Sequence, residues 1–187
     1  MDVVTAIMND HRVLEGLFDE LSAGDEDRAV LVAEVKARLR AHTRAEERYV
    51  YPVLVRVRPS EASEVHHGTE EHREAEEKLE ALEAASDGEF PRALKEFVEA
   101  VRHHVAEEES EILPAIKAAM SFRKRDELGR RFDSHRISEL KRAGIDDALT
   151  KEDLYIKAQR AGIAGRSSMS RGELARALLA ERTRARR

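Results

Sequence analysis

The stretch HTRAEERYVYP, residues 42–52, returns as HVAEEESEILP, residues 104–114. In each copy a glutamate stands four places after the histidine, a second glutamate follows it directly, and a proline stands ten places after the histidine. On an α-helix, positions i and i+4 share a face one turn apart, so His42 and Glu46 point the same way, as do His104 and Glu108. The copies are offset by 62 residues, and two further histidines, His11 and His72, repeat at an offset of 61. A helical hairpin of roughly sixty residues is therefore present twice. Each copy supplies one lone histidine and one H-x-x-x-E. Together they give four imidazoles and two carboxylates, donor types that hold a transition metal.

Outward from these motifs, residues 1–120 read as four amphipathic helices with short polar breaks. The first carries Val4, Ile7, His11, Leu14, Phe18 and Leu21 and stops near residues 22–25. The second carries Leu31, Val35, Leu39, His42, Glu46, Tyr49 and Val53 and ends by residues 58–60. The third carries Val65, His72, Leu79 and Leu82, and the fourth Leu94, Phe97, Val101, His104, Glu108, Ile112 and Ala115. Connections of a few residues between such helices predict an antiparallel up-down four-helix bundle. Pro52 and Pro114 fall six residues after Glu46 and Glu108. Each removes an amide donor, so each is expected to mark a kink or a last turn beyond the metal layer.

The six metal-binding candidates, His11, His42, Glu46, His72, His104 and Glu108, sit on the apolar seams where a bundle would ordinarily place Leu or Ile. A carboxylate buried alone costs several kcal/mol or changes its protonation state, so buried polar residues are normally paired or bound to metal. Six of them on facing seams require a common partner.

Composition sets the class. At 187 residues the chain is long enough for one well-buried core and a small appendage. It has no cysteine, four prolines, nine glycines and 38% charged residues, the profile of a mostly helical protein and not of a secreted disulfide scaffold. The opening MDVVTAIMNDHRVLEG shows no basic leader or apolar run, and no stretch is long enough to span a bilayer. A cytoplasmic location with no membrane partner is the expectation. Charge divides the chain: residues 1–133 hold 20 Lys+Arg against 31 Asp+Glu, and residues 134–187 hold 13 against 7. The net −5 thus combines an acidic and a basic segment.

The order H … H-x-x-x-E … H … H-x-x-x-E, each pair continued by E and then by the proline, resembles the hemerythrin-like HHE cation-binding domain. The resemblance covers about residues 1–141 and takes in the amphipathic stretch RDELGRRFDSHRISEL, residues 125–140, as an added fifth helix. It implies a bundle around a non-haem di-iron centre, with His11, His42, His72 and His104 as terminal ligands and Glu46 and Glu108 as bridging carboxylates. The chain departs from the oxygen-carrying hemerythrins. They have an H-x-x-x-H on the third helix and an aspartate on the fourth, where this chain has His72 followed by Glu76, and Glu108.

With two histidines per iron, two carboxylate bridges and an oxo or hydroxo bridge, each iron is about five-coordinate and has room for oxygen, peroxide or nitric oxide. Imidazole and carboxylate suit iron or manganese, and the absence of thiolate argues against structural zinc. The implied functions are oxygen binding or sensing, or decomposition of peroxide or nitric oxide, and the residues do not separate sensor from enzyme. Iron storage or delivery, or iron–sulfur cluster repair, is the alternative.

Tyr49, seven after His42, and Glu111, seven after His104, are candidates for contacts beside the metals. Glu15 and Glu76 are positioned to orient histidines or to face solvent. Glu47 and Glu109 are expected to point partly away, and His66, His67, His103 and His135 to be surface or interhelical residues.

From Thr150 the character changes. LTKEDLYIKAQRAGIAGRSSMSRGELARALLAERTRARR, residues 149–187, has a helix start at Thr150, glycines at 162 and 165, and a second start near Ser170. Leu154, Ile163, Met169, Leu174, Leu178 and Leu179 form its expected miniature core. Residues 149–151, 154–155, 161–163, 165–167 and 169–170 resemble the helix–extended-loop–helix N-terminal domain of transcription terminator Rho and, more loosely, SAP-type modules. That implies nucleic-acid contact or protein docking. Its basic residues, among them Lys157, Arg160, Arg166 and the arginines at 182, 184, 186 and 187, fit phosphates, whereas a single aromatic, Tyr155, makes a poor stacking platform. The expected organisation is residues 1–142 as the bundle, 143–149 as a linker and 150–187 as the basic module.

Overall fold

The computed structural model describes residues 1–24, 28–145, 151–167, 169, 173–174, 177–178 and 180–181. Every regular element among the described residues is a helix, with no strand among them. No helix among them is long and apolar enough to cross a membrane. Backbone contacts divide the chain into two compact units, Met1–Arg136 and Ile137–Arg187.

In the first unit, α1 (Val3–Ser22) and α2 (Arg28–Ala45) pack on each other, as do α4 (Ala62–Ala84) and α5 (Phe90–Glu107), and further contacts join α1 to α5 and α2 to α4. Between α2 and α4 lies the short α3 (Tyr51–Val57), and α5 is continued by α6 (Leu113–Ala119) and then by α7 (Phe122–Arg142), of which the residues up to Arg136 belong to this unit. The side of Asp2 caps α1 by accepting a hydrogen bond from the Val4 amide at 3.0 Å, which satisfies one of the donors a helix start leaves open.

Two apolar clusters fill the interior. One gathers Leu14, Phe18, Leu31, Leu39, Leu79 and Phe97, the other Val3, Ile7, Leu54, Ile112, Ile116 and Phe132. Along α1 the second cluster comes first and the first follows after His11; along α2 the order is reversed around His42 and Glu46. The polar candidates therefore lie in a layer between two hydrocarbon blocks. In the first block, Phe18 meets Phe97 edge to face at 5.6 Å, a geometry worth about 0.5–1.5 kcal/mol beyond area burial.

The prolines act earlier in the chain than a kink beyond the metal layer would require. α2 passes into a π-helical turn, Glu46–Val50, and α5 into another, Glu108–Ile112. The amide of Tyr51 bonds the Glu46 carbonyl and that of Leu113 bonds the Glu108 carbonyl, each five residues back. Pro52 and Pro114, next in line, have no amide to offer, so the hydrogen-bond ladder resets just before them. Each distortion thus begins at the candidate carboxylate itself.

α7 closes over the start of α1. Arg125 bonds Asp2 at 2.7 Å and the Met120 carbonyl at 3.0 Å, and Leu128 and Phe132 join the second apolar cluster. The approach is close at Gly129, where an added Cβ would stand 2.0 Å from the Met1 carbonyl oxygen. Gly129→Ala is expected to cost about 1–3 kcal/mol, since the backbone has to move apart. A urea melt with an unchanged midpoint would contradict this packing.

In the second unit, α8 (Lys151–Arg160) buries Leu154 and Ala158 with Leu174, and Tyr155, Ile163, Met169 and Leu178 pack around them. Gly162 and Gly165 adopt φ of 70° and 71°, the left-handed conformation that glycine takes without strain. The expected starts at Thr150 and Ser170, Leu179 and the arginines at 182, 184, 186 and 187 lie outside the described residues.

Candidate metal centre

The helices α1, α2, α4 and α5 each deliver one histidine to the polar layer, and the two π turns deliver the carboxylates. His11, His42, His72, His104, Glu46 and Glu108 are all at most 4% exposed. His11 Nε2 stands 3.2 Å from Glu108 Oε2, and His42 Nε2 stands 3.2 Å from Glu46 Oε1. On the other side, His72 Nε2 is 3.4 Å from Glu46 Oε2, 3.1 Å from His104 Nε2, and His104 Nε2 is 4.0 Å from Glu108 Oε2. The donors fall into two overlapping groups, His11–His42–Glu46–Glu108 and Glu46–His72–His104, with Glu46 common to both. Each oxygen of Glu46 faces a different histidine, the placement a bridging carboxylate needs.

The opposite nitrogen of every ring is held. Nδ1 of His11 meets Glu109 at 2.9 Å, that of His72 meets Glu47 at 2.9 Å, that of His104 meets Glu71 at 3.0 Å, and that of His42 meets Asp10 at 3.4 Å. A carboxylate on Nδ1 fixes the ring's orientation and raises the basicity of Nε2, as it does for metal-binding histidines generally. These partners follow the internal repeat. Asp10 and Glu71 each precede the lone histidine of their copy and hold the other histidine of that copy. Glu47 and Glu109 each follow the inward carboxylate and hold the lone histidine of the opposite copy, so they do not point away. Arg136 of α7 reaches Asp10 at 3.2 Å, and Phe132 sets its ring against His42 at 5.8 Å.

Inside this frame, His11 Nε2, His42 Nε2 and all four oxygens of Glu46 and Glu108 are buried without a hydrogen-bond partner. So many unsatisfied lone-pair donors in one enclosed layer would cost several kcal/mol if nothing bound them. Electrostatics agree. Burial, and then the neighbouring Glu108 charge, push the Glu46 carboxyl well above the usual carboxylate range. Burial would raise Glu108 too, but His11, His104 and His42 hold it well below the usual carboxylate range. Burial and the adjacent His11 push His42 well down, toward its neutral, lone-pair form. Two buried carboxylates that cannot both ionise comfortably, beside a neutral imidazole, form a site that a multivalent cation would complete.

Tyr51 escaped the sequence reading. Its ring stacks on His72 at 5.7 Å and an interplanar angle of 13°, and its buried hydroxyl has no hydrogen-bond partner. Burial and the Glu108 charge raise its pKa well above the ordinary phenol value. Gly68 lets it in, because a Cβ there would come 3.1 Å from the Tyr51 hydroxyl. The expected neighbours sit elsewhere: Tyr49 is half-buried against His135 at 5.5 Å, and Glu111 is exposed. Glu15 pairs with Arg102 at 2.8 Å and Glu76 with Arg40 at 2.6 Å, neither with a histidine.

Residues 2–116 match the family model of the hemerythrin HHE cation binding domain. Among solved structures, the chain is similar to a hemerythrin HHE cation binding domain-containing protein from Mycobacterium kansasii, with a TM-score of 0.66 and 21% identity over 95% of this chain and 99% of that one. No curated protein matches the sequence.

Proposed function

Because the chain belongs to the hemerythrin HHE cation-binding family, we propose that its buried layer holds two iron ions at the centre of an antiparallel four-helix bundle and that the pair meets oxygen, peroxide or nitric oxide. His11 and His42 would hold one ion, His72 and His104 the other, and Glu46 and Glu108 would bridge them. The observation that carries this reading is the set of buried atoms without hydrogen-bond partners, Nε2 of His11 and His42 and the four oxygens of Glu46 and Glu108, in a layer whose four imidazoles are each held from behind by a carboxylate. The donor set is imidazole and carboxylate with no cysteine in the chain, which suits iron, or manganese in its place. A bound di-iron pair supplies Lewis-acidic, redox-active positions for a small ligand.

The chain's own residues define the rest. Glu109, Glu47, Glu71 and Asp10 keep each Nε2 aimed inward. The hydrocarbon blocks on either side exclude bulk water, which strengthens every interaction in the layer. Tyr51 stacks its ring on His72 and carries a buried hydroxyl that has no protein hydrogen-bond partner, a donor available to a ligand that reaches it. Enclosure and cross-bracing favour retention of metal over the ready release that storage or delivery requires. The basic C-terminal segment is assigned the role of a docking module for nucleic acid or protein, supported by its small core of Leu154, Ala158 and Leu174 and its Rho-like residue pattern.

The functional reading is tested by mixing the anaerobically reduced, iron-loaded protein with oxygen, peroxide or nitric oxide in a stopped-flow spectrometer. A change in the visible spectrum with at least one of them is expected, and sustained consumption would mark an enzyme. Silence toward all three, with rapid stripping of iron by a chelator, would contradict it.

A further inference from the structure

A second constellation of metal-binding side chains stands outside the buried layer, on the exposed side of α4 and α5. His67 and Glu71 are four residues apart on α4, and His103 and Glu107 are four apart on α5, so the H-x-x-x-E spacing recurs on two neighbouring helices. His67 Nε2 lies 3.2 Å from Glu107 Oε2 and 3.9 Å from Glu71 Oε1. His103 Nε2 lies 3.2 Å from Glu107 Oε1 and 3.6 Å from Glu71 Oε1. Each carboxylate is thus faced by both imidazoles. Donor atoms of His67, Glu71 and Glu107 all fall within 4.8 Å of one another, a spread one cation can draw together.

Surface ion pairs would account for Glu107, but not for Glu71. Glu71 is only 8% exposed, and its Oε1, turned toward both rings, is buried with no hydrogen-bond partner. An oxygen left in that state costs about 1–3 kcal/mol unless something satisfies it. The other oxygen of the same carboxylate holds His104 Nδ1 at 3.0 Å, so Glu71 belongs to both constellations. The two also share a cleft, which is lined by His67, Glu71 and Glu107 and by the buried Glu108. The side chains of His67 and His103 are 53% and 65% exposed, which leaves the outer constellation open to solvent.

We propose that His67, Glu71, His103 and Glu107 form a second, solvent-open site for one divalent first-row transition-metal ion, which stages ions on their way to the buried centre. The staging role, though not the outer site, rests on the reading of the buried layer as a metal centre. Two imidazoles and two carboxylates are a borderline donor set that takes ferrous iron, cobalt or zinc in preference to calcium or magnesium. Being open and only partly buried, the outer site binds its ion more weakly than the enclosed layer and exchanges it faster.

The test titrates the full-length protein with Co2+ under nitrogen and reads stoichiometry and loading rate from the visible absorption. Wild type is compared with a His67→Ala/His103→Ala variant, whose rings contribute little to the core. Wild type is expected to take a third, weaker ion. The variant should lose it, keep the two tight ions, and fill them roughly ten-fold or more slowly at limiting Co2+. Identical stoichiometry and rate in the two proteins would overturn the outer site and leave the buried centre standing. Loss of the weak ion in the variant, with no tight ions in either protein, would overturn the staging role along with the buried centre.

Discussion

His104→Ala is expected to weaken metal retention by at least about a hundred-fold. The substitution removes the Nε2 that stands 3.1 Å from His72 Nε2 and 4.0 Å from Glu108 Oε2, and it also strips Glu71 of the ring its Oε2 holds. One of the two positions would then keep a single imidazole, His72, and the carboxylates. Glu76→Ala is the matched control. Glu76 shares the H-x-x-x-E spacing with His72, but its carboxylate is turned to Arg40. Losing that partly exposed pair costs no more than about 1 kcal/mol and leaves the layer untouched. Elemental analysis after dialysis against a chelator separates the two variants. Full retention of iron by His104→Ala would contradict the ligand assignment.

Metal loading is expected to raise the melting temperature by about 10 °C. A ligand that binds only the folded state stabilises it by about 4 kcal/mol at a free concentration a thousand-fold above its Kd. For a chain of this size, each kcal/mol corresponds to about 2–4 °C. The molecular source is the layer itself. Without a cation, the oxygens of Glu46 and Glu108 and the Nε2 atoms of His11 and His42 remain buried and unsatisfied. With one they become ligands. The two apolar clusters provide the stability on which this gain is added, so the metal-free protein should still melt cooperatively. Calorimetry with and without bound iron makes the comparison, and coincident melts would mean that the layer is satisfied without metal.

The helices and the inward-facing residues were legible because one strong signal repeats. His11, His42, Glu46, His72, His104 and Glu108 occupy seam positions twice over, and the structure brings the six together. The residues behind them carried the same signal in weaker form. Asp10 and Glu71 are offset by 61 and Glu47 and Glu109 by 62, the same offsets as the His11/His72 and Glu46/Glu108 pairs they adjoin. With 38 acidic residues in the chain, however, single carboxylates do not stand out. Only the pairing of D/E-H with H-x-x-x-E-E across both copies would have shown them.

Tyr49 and Glu111 were selected by a seven-residue step from His42 and His104, which assumes an unbroken α-helix. A π-helical turn inserts an extra residue into the turn and rotates everything after it. Beyond Glu46 the inward position therefore passes to Tyr51, and beyond Glu108 to Leu113, its equivalent in the repeat and 2% exposed. The prolines that force the reset were visible in the sequence. Their effect on register was not, because proline can equally kink a helix or end it.

The most direct test of the central reading is the metal content of the protein purified in air, measured by elemental analysis beside its near-ultraviolet and visible spectrum. About two irons per chain with absorption from an oxo-bridged pair is the expected result. A chain that holds no metal even after anaerobic ferrous loading and removal of excess iron would contradict it, and would leave the buried histidines and carboxylates as a purely structural layer.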